Sequence, residues 1–147
     1  MSFEASWEDE AVELFRDLLR IDTSNAPDLP ANETAAVVLL AERLRAAGIE
    51  PEILEPVPGK GNLVCRLRGD GSGGAPILLS GHVDVVPADP ARWKHAPFAG
   101  EVHDGWIWGR GTIDMKNMVA MEAMTMLALA RSGARLTRDR SEEHTSE

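Results

Sequence analysis

Two short stretches carry residue types at spacings suited to metal-assisted chemistry. The first is His82-Val83-Asp84. Side chains two apart on a strand project to one side, so the imidazole and the carboxylate emerge together. Such a carboxylate can hold one ring nitrogen and turn the other toward an ion. On the triplet alone the plainer reading, a strand-end histidine satisfied by its own neighbour, is the better one. The second stretch, Gly109-Arg110-Gly111-Thr112-Ile113-Asp114, places a carboxylate at a glycine-rich turn entering a helix. Taken alone, Asp114 would serve as an N-cap. Two-metal hydrolases, however, need a carboxylate that bridges both ions and further ligands from other strand ends. His82 and Asp114 are two such residues.

The elements that would position them follow from periodicity and punctuation. Ser6 with Asp9 reads as a capping pair opening a helix along Val12, Phe15, Leu18 and Leu19 to Arg20. A loop, Asp22 to Ala31, leads to Asn32 as cap of a second helix along Val37, Leu40, Ala41 and Leu44, with Gly48 at C′. Strands are expected at Glu52 to Glu55, between two prolines, and at Asn62 to Arg68, where Leu63, Cys65 and Leu67 share a face. Gly69 to Gly74 does not open a helix, as a phosphate-binding loop must, and reads as a hairpin loop.

Pro76 to Val86 has the apolar continuity of a buried central strand whose polar C-terminal end faces a site. Asp104-Gly105 between two apolar arms marks a hairpin. From Asp114 to Arg131 the chain is helix-forming, with Gly133 as the stop and Met115, Met118, Met121 and Met124 read as core packing.

Composition narrows the function classes. With 24 acidic against 15 basic residues, a net charge of -9 and no basic cluster, the chain is unsuited to nucleic acid or an anionic membrane surface. Its single cysteine, Cys65, reads as a free core thiol. The acidic N-terminus has no apolar targeting region and no stretch could span a bilayer, so a cytoplasmic protein is expected.

Several ordered motifs then resemble one family. These are Ser80-Gly-His-Val-Asp-Val-Val-Pro87, Trp93, Pro97-Phe98, Asp104-Gly105 and Gly109-Arg-Gly-Thr-Ile-Asp-Met-Lys116, preceded by Arg20-Ile-Asp-Thr-Ser24, Asn32-Glu33 and Gly61-Asn62-Leu63. Together they resemble the co-catalytic zinc aminoacylases and carboxypeptidases, which include acetylornithine deacetylase, succinyl-diaminopimelate desuccinylase and glutamate carboxypeptidase types. The resemblance implies an α/β, aminopeptidase-like (zinc exopeptidase) mixed sheet with flanking helices, here truncated. By position, it implies His82 as a ligand of one metal, Asp114 as the carboxylate bridging both, and Asp84 as the catalytic-site residue that orients His82. It further implies two Zn2+ per complete site, with Co2+ as a substitute, a small peptide or N-acyl amino acid as substrate, and a homodimeric parent. The implied reaction is amide hydrolysis by water activated at the ions, with a glutamate as general base.

That glutamate is missing from the pattern. The family's Glu-Glu pair ends an apolar strand, whereas Glu142-Glu143 follows Arg140-Ser141 without one and is rejected as the catalytic pair. Residues 1–139 are therefore expected to be the N-terminal part of a catalytic domain. Residues 140–147 look like translated linker, a non-native tail set aside from the fold. His95, His103 and His144 have no family counterpart as ligands and read as solvated, and Lys116 as a support of the turn. The expected function is a fragment of a di-zinc metallopeptidase or deacylase, inactive alone; the alternative is a non-enzymatic binding module on the same scaffold.

Overall fold

The computed structural model describes residues 3–145. Its elements are helix α1 (Phe3–Arg20), helix α2 (Glu33–Ala46), strands β1 (Glu52–Val57), β2 (Lys60–Leu67) and β3 (Ile77–His82), a 3-10 turn at Pro90–Arg92, strands β4 (Glu101–His103) and β5 (Trp106–Trp108), helix α3 (Lys116–Ser132) and strand β6 (Arg140–Thr145). The main sheet has the order β1-β2-β6-β3, with β6 antiparallel to β2 and parallel to β3; β4 and β5 form a separate hairpin. Mixed pairing with helices packed on the sheet matches the α/β expectation.

Helix α2 lies against β1 and β2, α3 against β3, β6 and α2, and α1 packs on α3. One core joins them through Leu14 and Leu18 of α1, Val37, Leu40 and Leu44 of α2, Leu63 and Cys65 of β2, and Val119, Met126 and Leu127 of α3. Burial, and then the charge of Glu142, push the Cys65 thiol up to about 12, so it is an inert core group.

Helix α2 stops as expected. Gly48, at φ 79°, takes the C′ place; its N–H donates to the Arg45 carbonyl and that of Ile49 to the Leu44 carbonyl, the paired bonds of a Schellman motif. At the other end Asn32 occupies the N-cap place, but its side chain donates to the Asp22 carbonyl (3.0 Å) instead of capping. Helix α1 already runs from Phe3, so Ser6 lies inside it and is not its cap.

The apolar stripe of α3 also differs from expectation. Its buried positions are Lys116, Val119, Ala120, Ala123, Met124, Met126 and Leu127, whereas Met118 and Met121 are exposed. Steps of three fall short of a 3.6-residue turn, so methionines at that spacing sweep around the helix, and Met118 and Met121 leave the core face while Met115 and Met124 stay against it.

Strand β3 is an edge strand with Ile77 and Leu78 exposed, not the buried central strand its apolar run suggests. The loop Gly69–Gly74 is likewise no hairpin, because β6 lies between β2 and β3. Its glycines let the chain before β6 come close: a Cβ on Gly69 would sit 2.4 Å from the Arg138 backbone, and the Gly73 N–H donates to the Thr137 carbonyl at 2.7 Å. The stretch set aside as a tail thus contributes β6, and Glu142 is fully buried beside Cys65. Strand pairing is made by backbone groups, so a polar sequence can fill the place. No helix among the described residues is long and apolar enough to cross a membrane.

Candidate metal centre

His82 is the last residue of β3, and Asp84 follows beyond the strand end. The segment carrying them is clamped by the chain after α1. Thr23 Oγ1, buried, donates to the Val83 carbonyl at 2.6 Å; the Val85 N–H donates to the Thr23 carbonyl, and the Asn25 N–H to the Val85 carbonyl. Asp114 arrives from the opposite side, on the turn that precedes α3. Gly111 makes that turn possible: its φ is 87°, and a Cβ there would meet Val85 Cγ1 at 2.8 Å.

Lys116 fixes the junction from beneath. It is fully buried, and its Nζ donates to the carbonyls of Leu18 (2.9 Å) and Ile21 (2.8 Å), which lie at and just beyond the end of α1. Burial lowers its pKa to about 8 against the opposing pull of Asp22 and Asp84. Its role is the supporting one expected from sequence.

The two candidate ligands converge. His82 Nε2 is 3.2 Å from Asp114 Oδ1. Its Nδ1 is 3.0 Å from the Asp84 carbonyl oxygen and 3.2 Å from Asp84 Oδ1. A carbonyl can only accept, so Nδ1 carries hydrogen and in the neutral ring Nε2 presents a lone pair. That lone pair faces a carboxylate oxygen. Two acceptors at this distance need a proton or a cation between them. Burial disfavours the charged ring, but the bonds to Asp84 and Asp114 and the charges of both carboxylates outweigh it and raise the His82 pKa. The separation also suits one ion, because two ligands each about 2.0 to 2.2 Å from zinc lie roughly 3 to 4 Å apart.

Asp84 meets the ring chiefly through its backbone, not only through the carboxylate foreseen from sequence. Its Oδ2 accepts from Asn25 Nδ2 at 3.4 Å, while buried Oδ1 is approached by His82 Nδ1 at 3.2 Å. Asp114 is not the N-cap of α3; that place belongs to Met115. Helix onset is one residue later than an Asp cap requires, which frees the carboxylate to face His82.

The cavity over this pair holds about 420 Å³ and is walled by His82, Asp84, Asp114, Trp93 and Arg110. The Arg110 guanidinium stacks 5.2 Å over the Trp93 ring. Thr23, Asn25 and Arg110 acquire their places through contacts far apart in sequence. The motifs Arg20 to Ser24 and Gly109 to Lys116 contain Thr23 and Arg110, whereas nothing in the sequence marked Asn25.

Comparison with known proteins bears on the fold and the family. Residues 78–140 match the model of peptidase family M20/M25/M40. The succinyl-diaminopimelate desuccinylase of Methylobacterium radiotolerans is 40% identical over 131 residues, covering 86% of this chain and 31% of that protein. The enzyme of the same name from Paracoccus denitrificans is 48% identical over 90 residues, covering 60% of this chain and 23% of that one. This chain thus spans less than a third of the length of these curated relatives. Among solved structures, an M20 family metallo-carboxypeptidase from Sulfolobus solfataricus superposes with a TM-score of 0.76 at 19% identity, over 93% of this chain and 30% of that one. Human carnosine dipeptidase 1 gives 0.70 at 20%, over 94% and 32%. At those identities the structures speak for the fold. The fold, the matched segment and the 40% relatives agree in what this chain is similar to: peptidase family M20/M25/M40.

Proposed function

We propose that this chain supplies the first metal ligands of a hydrolase that cleaves the amide bond of an N-acyl amino acid or short peptide, with a succinylated diamino acid as the favoured substrate. The observation that carries the reading is the pair of acceptors, His82 Nε2 and Asp114 Oδ1, facing each other at 3.2 Å on the cavity wall. The names of the 40% relatives favour deacylation over carboxypeptidase action. Arg110, held over Trp93, gives the cavity a cationic wall suited to an acidic acyl group.

Imidazole and carboxylate donors fit zinc, and cobalt in its place. When bound, two such ions would polarise the amide carbonyl and make water nucleophilic near neutral pH. His82 would hold one ion through Nε2 and Asp114 would bridge both, while Asp84 keeps the Nδ1 hydrogen engaged and thereby aims Nε2 outward. Residues 1–139 would be the N-terminal part of the catalytic domain of a cytoplasmic homodimer. Residues 140–147 would be a non-native tail, with Arg140–Thr145 standing in for an apolar strand, a reading supported by the burial of Glu142 against Cys65.

Two measurements test the reading. Loaded with zinc or cobalt, the chain should not turn over N-succinyl-diaminopimelate, an N-acyl amino acid or a dipeptide, since His82 and Asp114 are two of the roughly four ligands an ion takes. Turnover that disappears in His82→Ala would overturn the inactivity. Zinc should nonetheless shift the His82 ring resonances, and Asp114→Ala should weaken that shift; an unmoved His82 ring would remove it as a ligand.

A further inference from the structure

A second group of metal-type donors lies outside the site just described, on the β4–β5 hairpin and the loop before it. Glu101 and His103 are two apart on β4 and share a face, with His103 Nε2 2.7 Å from Glu101 Oε2. His95 lies on His103, ring centroids 3.7 Å apart and planes 16° from parallel, and meets the edge of Trp108 at 4.8 Å. One ligand atom from each of His95, Glu101 and His103 can be chosen so that all three lie within 4.8 Å of one another. The sequence suggested solvated histidines; the structure stacks them, half-buried.

Two further facts make the cluster more than a surface coincidence. His95 Nε2 is buried and has no hydrogen-bond partner among the described residues. The hairpin itself is well defined. Asp104 and Gly105, with φ of 53° and 80°, form its two-residue turn, and Arg16 Nε anchors its base by donating to the Gly100 carbonyl at 2.8 Å.

We propose that His95, Glu101 and His103 form a peripheral site for a borderline divalent cation of the Zn2+ class, separate from His82 and Asp114. Two imidazole nitrogens and one carboxylate oxygen are the donor set of a three-ligand zinc site whose fourth position is left to water or a ligand. Closure requires the donors to approach from within 4.8 Å to roughly 3 to 4 Å, a matter of side-chain rotation on an exposed hairpin. Lys94, whose ammonium sits 5.7 Å over the Trp108 ring, is the opposing charge nearby, and Glu101 and Asp104 offset it.

The test is calorimetric titration of the whole chain with zinc alone, in a His82→Ala/Asp114→Ala background that removes the other site. One zinc equivalent should remain, and its uptake should shift the ring 15N resonances of both His95 and His103. Adding His103→Ala, or separately His95→Gln, should weaken binding at least about tenfold, with an unchanged far-UV spectrum showing that the fold persists. Absence of stoichiometric zinc from the background variant, or affinity unmoved by both substitutions, would overturn the site.

Discussion

The two histidine clusters of this molecule are built in opposite ways. His82 and Asp114 are 32 residues apart and meet only because Thr23, from the chain after α1, and Gly111 and Lys116, from the turn into α3, fix the two segments that carry them. His95, Glu101 and His103 lie within nine residues and are brought together by strand alternation and ring stacking, with the two-residue turn returning Trp108 against His95. The first geometry depends on the fold and the second mainly on a hairpin. Substitutions far from His82 should therefore disturb the first cluster and leave the second standing.

The largest such effect belongs to Lys116. Lys116→Met keeps the side-chain length but leaves the Leu18 and Ile21 carbonyls without their buried donor, an expected loss of roughly 2 to 5 kcal/mol in urea unfolding. The pH dependence has a definite sign. A lysine held near 8 in the folded chain binds fewer protons than the unfolded chain between about pH 8 and its ordinary value near 10.4, so its contribution grows as pH rises through that window. The variant should lack that rise, and its His95 and His103 resonances should stay in place. Collapse of both clusters together would break the comparison.

A pair of glycines separates packing from backbone strain. Gly111 and Gly105 have nearly the same φ, 87° and 80°, but a Cβ would meet Val85 at 2.8 Å in the first and nothing within 4 Å in the second. Gly105→Ala should cost roughly 1 to 2 kcal/mol from the left-handed conformation alone. Gly111→Ala should cost roughly 2 to 4 kcal/mol, since the clash adds to the same strain. Only the Gly111 variant should move the His82 ring resonances. Equal costs would mean that the Asp114 turn yields as readily as the hairpin.

The same contrast explains what could be read from sequence. Local features were legible: the Schellman stop at Gly48, the Asp104-Gly105 turn, the Cys65 face of β2, and the His82 and Asp114 stretches. Features set by strand order were not. The apolar run from Pro76 became an edge strand because no local property of Ile77 to His82 states how many neighbours it has. Residues 140–145 entered the sheet because backbone pairing ignores side-chain polarity. The stacking of His95 on His103 was missed for a simpler reason, since periodicity gives no sign that a loop residue folds back onto a strand.

The smallest expected effect comes from the far end of the helix pair that Lys116 joins. Arg131, in the last turn of α3, grips Glu10 of α1 through two bonds of 2.6 and 2.9 Å and stacks 5.1 Å over Trp7. The bonds from Arg131 lower the Glu10 pKa despite some burial. A depressed carboxylate contributes stability above its unfolded value, 4.5, and loses it as pH falls through the lower folded value. Both partners are substantially exposed, so solvent screening holds the pair to about 0.5 kcal/mol. Glu10→Gln should thus lower stability slightly at pH 7, by an amount that shrinks below pH 4 and with added salt, while neither histidine cluster responds. A loss as large as that of Lys116→Met would show that the helix pair is secured at its exposed end instead of beneath the His82 site.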